Sequence, residues 1–153
     1  MTNFTHKPIK ESVAFVAENE QGQFLAVQRP DDDDHLPNVW GLPAGSLRSD
    51  ETAEDTIRRS ARDKLGIAVT NITFVGEETA DRGDHTLHLR EYSVDIPEGE
   101  VISITSRDPE VSLYQAFTFS DDPTLLQEAA QKGSLCSIIF LKNKGLWPTK
   151  TNV

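Results

Sequence analysis

The segment Gly45 to Ile67, GSLRSDETAEDTIRRSARDKLGI, constrains this chain more than any other, because its glycines, charges and apolar residues fit one loop running into one amphipathic helix. Five residues separate Gly45 from Glu51 and seven separate Glu51 from Arg59; Ser60, Ala61, Arg62, Asp63, Lys64, Leu65, Gly66 and Ile67 follow. Ala53, Ile57, Ala61 and Leu65 recur every fourth position, the period of a helix face turned to a core. Ser49 or Asp50 is placed to cap the start of that helix. Gly66 can end it in the left-handed conformation before Ile67 opens a strand. On the outer face Glu54 with Arg58, Asp55 with Arg59, and Arg59 with Asp63 set opposite charges four apart, each exposed pair contributing roughly 0.2–0.5 kcal/mol.

With Trp40 to Gly45, WGLPAG, as a strand leading into the loop, this spacing resembles the Nudix box. The resemblance implies an α/β fold, a Nudix-like α/β/α sandwich with a mixed β-sheet between helices. It also implies hydrolysis of a nucleoside diphosphate linked to another group, assisted by magnesium or manganese. Gly45 would let the backbone approach phosphate, and Glu51 and Arg59 would brace the loop against the helix, with Glu51 near the metal. In the family a glutamate follows the arginine and two more come three and four positions later, converging on the metal from one helical face. Those places hold Ser60, Asp63 and Lys64 here, so Glu51, Arg59 and Asp63 are the catalytic residues carried over and Glu51 and Asp63 the metal donors. An ammonium in place of a ligand removes an acceptor and repels the cation, so reduced magnesium affinity and weak hydrolysis are expected. Two readings stay open for Asp63: metal donor, or ion-pair partner of Arg59.

Length and charge narrow the partners. At 153 residues and 17.0 kDa the chain fits a single domain, 1–153, with no stretch that reads as a dividing linker. Its 25 acidic against 15 basic residues give a formal charge of −10, which opposes broad binding to a nucleic-acid backbone. A small phosphorylated or nucleotide ligand is compatible with that charge if local cations line its site: Arg29, Arg48, Arg62 and Lys64 lie in or near the candidate site, and Gly45 offers backbone. No apolar run suits secretion or crossing a bilayer, so a cytoplasmic protein without membrane attachment is expected. Cys136, the one cysteine, sits in LCSII and reads as a small buried hydrophobe. Asp31 to Asp34 reads as a solvated turn after Pro30.

The rest of the chain reads as strands and two further helices. Ser12 to Glu18 and Gln23 to Arg29 form a hairpin across Asn19 to Gly22, and a short strand spans Val39 to Leu42. Ile67 to Val75 and Thr86 to Val94 read as strands separated by an acidic loop, Glu77 to Asp84. Within the second, His88, Arg90 and Tyr92 share one face and Leu87 and Leu89 the other. His85 and His88, three apart on a strand, face opposite sides and are given no metal role. Val111 to Phe119 is a strand, Asp122 caps a helix through Gln131 that Gly133 stops, and Leu135 to Leu141 is a last helix on the family resemblance.

Two functions fit this pattern. One is the divergent hydrolase, with Glu77, Glu78 or Glu91 as a replacement carboxylate from outside the helix. The other is a non-catalytic nucleotide or phosphate binder in which Lys64 takes the cation's place, with Trp40 or Tyr92 able to stack on a base. Relatives in the resembled family often dimerise, so a homodimer is also expected.

Overall fold

Successive side chains of the first strand, β1 (Ile9–Glu18), serve opposite layers of the molecule. Val13, Phe15 and Ala17 join an apolar cluster with Ala53, Ile57, Ala61 and Leu65. Val16 joins a second with Leu126, Ala130, Phe140 and Leu141, and Ala14 a third with Leu89 and Ile139. The central strand thus lies between the box helix and the C-terminal helices, the α/β/α sandwich expected. The computed structural model describes residues 7–33, 36–104 and 114–148.

Among the described residues the sheet has seven strands. After β1 come β2 (Phe24–Gln28), β3 (Trp40–Gly41), β4 (Ala44–Ser46), β5 (Thr70–Asp81), β6 (Thr86–Asp95) and β7 (Ala116–Ser120). Their order is β3-β2-β1-β6-β5, with β4 paired to β1 and β7 to β2. β1 and β6 run parallel through ten registered pairs, from Ile9 with Thr86 to Glu18 with Asp95, while the other pairings are antiparallel. The helices are α1 (Ala53–Ser60), continued by a π-helical turn over Ala61–Leu65, then α2 (Gln127–Gln131) after a 3₁₀ turn at Pro123–Leu126, and α3 (Leu135–Asn143). Ile57 and Leu65 are fully buried, each contributing about 1.5–3 kcal/mol through the surface it removes from water.

Several boundaries differ from those read in the sequence, for local reasons. The cap of α1 is Thr52, not Ser49 or Asp50: Thr52 Oγ1 accepts from the Asp55 N–H at 3.1 Å and Asp55 returns the bond to the Thr52 N–H at 3.1 Å, a reciprocal capping box. Asp50 instead takes a left-handed turn at φ 73°. Gly66 does close the helical segment in the left-handed region, at φ 69°, but Ile67 precedes the strand, which begins at Thr70. Glu77 to Asp81 belong to β5 and not to an acidic loop; pairing with β6 overrides their low strand preference. The Asp122 cap and the stop at Gly133 hold, at φ 96° for the glycine, although the first turn of that segment is 3₁₀. Asp33 is not simply solvated, since it accepts from Arg29 at 3.0 Å and from the Leu36 N–H at 2.7 Å. Asp34 and Val111 to Leu113 lie outside the described residues.

Candidate functional site

Loop and helix of the box meet through one ion pair. Arg59 donates to Glu51 from Nε at 2.6 Å and from a terminal nitrogen at 2.9 Å, and that terminal nitrogen also donates to the Ser46 carbonyl at 2.9 Å. Glu51 further accepts from the Arg48 N–H at 2.9 Å and from the Thr56 hydroxyl at 3.1 Å. The guanidinium beside it, helped by these donors, holds the Glu51 carboxyl down at about 2. Arg59 therefore meets Glu51 across the loop. On the outer face Arg58 reaches Glu54 at 3.6 Å, while Asp63 lies 3.4 Å from its neighbour Arg62.

One side of α1 packs on β4. Thr56 and Ser60 are buried there, and Gly45 is where the two elements come closest: a methyl on Gly45 would stand 2.1 Å from Ser60 Oγ and 3.3 Å from Ser60 Cβ. This close approach, rather than a left-handed turn, is what requires glycine. Ser60 Oγ is buried with no hydrogen-bond partner among the described residues. One turn on, Lys64 Nζ donates to the Ala44 carbonyl at 2.5 Å and lies 5.5 Å from the centre of the Tyr114 ring. The Ala44 N–H in turn donates to the Tyr114 hydroxyl at 3.1 Å. Lys64 and Tyr114 thus hold the backbone C=O and N–H of Ala44 at the mouth of the box loop. The π-helical turn places Lys64 there, because its wider turn shifts Asp63 and Lys64 off the α-helical period that runs through Ser60.

The remaining candidates are dispersed. Arg29, just past β2, pairs with Asp33. Trp40 packs against the cluster under α2 and α3, in the layer opposite the box helix, and Tyr92 makes an edge-to-face contact with Phe74 at 5.5 Å. Among the replacement carboxylates, Glu77 bonds His88 at 2.8 Å and Glu78 pairs with Lys142. Glu91 is fully buried on the face towards Ile139, in register with Ala14, which itself pairs with Ala44. Neither Glu91 oxygen has a partner among the described residues, and burial pushes its carboxyl up to about 9.

These donors do not fit a divalent-metal centre as they stand. Glu51 is committed to Arg59, Asp63 faces Arg62, Ser60 offers a neutral buried hydroxyl, and Lys64 brings a positive charge to the third position. Among the described residues no group of three or more His, Cys, Asp or Glu side chains is arranged to hold a metal ion. Tyr114 and the buried hydroxyl of Ser60 are site features that sequence reading missed. Tyr114 lies 70 positions from Ala44, beyond the reach of any spacing rule.

Comparison with known proteins bears on the family and the fold. A family model described as the NUDIX domain matches residues 8–134. An RNA pyrophosphohydrolase of Marinomonas sp. (strain MWYL1) is 28% identical over 68 residues, a stretch covering 44% of this chain and 39% of that protein. Among solved structures, the MutT protein from Methanosarcina mazei Go1 superposes with a TM-score of 0.67 at 16% identity, over 91% of this chain and 95% of that one. The E. coli ORF135 protein gives 0.65 at 21% identity, over 94% and 96%. The NUDIX domain of Shewanella oneidensis NrtR, in complex with ADP ribose, gives 0.63 at 17% identity, over 95% and 94%.

Proposed function

The chain belongs to the NUDIX-domain family, and from that premise we propose that it binds a nucleoside diphosphate linked to another group beside the box helix, with metal-assisted cleavage of that ligand lost. The observation that carries this reading is the division within the box. The contacts that shape the loop are kept, Glu51 with Arg59 and Gly45 against Ser60, while helix positions 60, 63 and 64 present a hydroxyl, one carboxylate and an ammonium. A fold neighbour carrying ADP ribose supports the ligand class. Arg29, Arg48, Gly45 and Lys64 are the residues assigned to the ligand, Lys64 by its place at the loop mouth.

Slow hydrolysis of the same linkage is the second reading. Retention of Glu51 and Asp63 favours it, as does the local likeness to an RNA pyrophosphohydrolase; those two carboxylates would have to part from Arg59 and Arg62 to hold magnesium or manganese. We place the protein in the cytoplasm as one domain that pairs into a homodimer, which light scattering would check; among the described residues no helix is long and apolar enough to cross a membrane.

Calorimetric titration with ADP ribose, ADP and capped RNA 5′ ends, alongside chromatographic assay for cleavage with and without magnesium or manganese, separates the readings. Binding with no cleavage is expected. Metal-dependent cleavage, however slow against binding, would put the second reading first, and absence of binding to every probe would remove the first.

A further inference from the structure

Resting on that ligand reading, we propose that Lys64 supplies the positive charge against which the diphosphate is held, so that recognition needs no divalent ion. The ammonium is fixed on two sides, by the Ala44 carbonyl at 2.5 Å and by the Tyr114 ring at 5.5 Å. A lysine ammonium has three N–H donors; one is spent on the carbonyl and the ring takes a second direction through its π face, which leaves a donor for an anion. Tyr114 is a positioning residue: its hydroxyl accepts from the Ala44 N–H and its ring flanks Lys64, so one side chain touches both the Ala44 backbone and the cation.

The surroundings favour an anion over a cation at this point. Ser60 is neutral and buried, the Asp63 carboxylate lies against Arg62, and Glu51 faces Arg59. A divalent ion beside the Ala44 carbonyl would meet the Lys64 ammonium at close range, a like-charge contact that is costly in a partly buried site. A diphosphate meets the same ammonium with the favourable sign and gains a charge-assisted hydrogen bond. The helix position that carries a metal-binding carboxylate in the family has in this chain been given to a resident cation.

The test is calorimetric titration of the full chain with ADP ribose, first in EDTA and then with magnesium in excess. Wild-type protein should bind in EDTA, and magnesium should change the affinity by less than about twofold. Lys64→Met should weaken binding in EDTA by about tenfold or more, the loss expected for one charge-assisted contact. Lys144→Met, an equal change of net charge elsewhere on the surface, should leave it unchanged. Unaltered affinity in Lys64→Met, or a tenfold tightening of the wild type by magnesium, would overturn the proposal while leaving the ligand reading in place. Failure of the wild type to bind in either condition would overturn both. If Lys64→Met does not fold, as judged by circular dichroism, the magnesium response of the wild type decides alone.

Discussion

Two contacts of the box show how far its chemistry has moved while its packing has stayed. Gly45 and Ser60 touch so closely that each dictates the other. Gly45→Ala should cost about 1–3 kcal/mol in a denaturant titration through overpacking. Ser60→Ala removes the clashing oxygen, 2.1 Å from the added methyl, and an unpartnered buried hydroxyl with it. Ser60→Ala should therefore be neutral or stabilising alone and should recover part of the Gly45→Ala loss in the double variant. Additive effects would show that the two do not share the contact. Glu51 is the second case. Its carboxyl is held at about 2 against an ordinary 4.5, so its contribution is complete above about pH 4.5 and is lost as pH falls towards 2. Glu51→Gln should cost roughly 2–3 kcal/mol at pH 7, from the size of that shift, and much less at pH 3. An equal loss at both pH values would mean that the pair acts through packing instead of charge.

At the scale of elements, the box segment was legible because its signals are local. The four-residue apolar period of Ala53, Ile57, Ala61 and Leu65 specifies which face is buried, and Gly66 marks the stop. The cap was misread by two to three residues because Ser49, Asp50 and Thr52 are all capping types. Only Thr52 has an acidic residue three positions on to complete the reciprocal pair. Thr52→Ala should destabilise the protein by about 1 kcal/mol, measured by thermal or denaturant unfolding, and Thr52→Ser should keep most of the wild-type stability. A neutral Thr52→Ala would place the helix start elsewhere. Glu77 to Asp81 were read as loop because acids are poor strand formers. Ten-residue β6 supplies the pairing that carries β5 through them, and that pairing is long-range and leaves no local mark. The π-helical turn is likewise invisible in a spacing argument built on an even helical period, yet it sets where Lys64 stands.

At the scale of the molecule, charge and burial give a definite pH profile. His88 has a carboxylate oxygen at each ring nitrogen, Glu11 at 2.7 Å and Glu77 at 2.8 Å, and only a protonated ring donates to both. Glu77, then Glu11, raise its pKa, so the tie it makes among β1, β5 and β6 is complete below about pH 6.5 and is lost as pH rises through the raised value. Glu91 acts in the same direction. Its neutral acid is what is buried, so folding is opposed increasingly as pH rises from 4.5 to about 9. With Glu51 failing only in acid, unfolding temperature should peak at about pH 4.5 and decline through pH 8. Glu91→Met should raise it, more at pH 8 than at pH 5, by replacing an unpartnered acid with an apolar chain of similar volume. A gain independent of pH would show that the carboxyl is not titrating out of register with the unfolded chain.

Because neighbouring residues of β1 feed separate layers, its length is not free to vary. Dropping any one residue between Val13 and Ala17 would turn every side chain beyond the gap to the wrong layer, sending Phe15 or Ala17 towards α3 and Val16 towards α1. The same slip would break step with Ala44 and Gly45, which register on Ala14 and Val13, and so displace the loop mouth that Lys64 grips. Relatives of this chain should therefore show their gaps and additions at the ends of that strand and in the turns, with its middle held to a constant count.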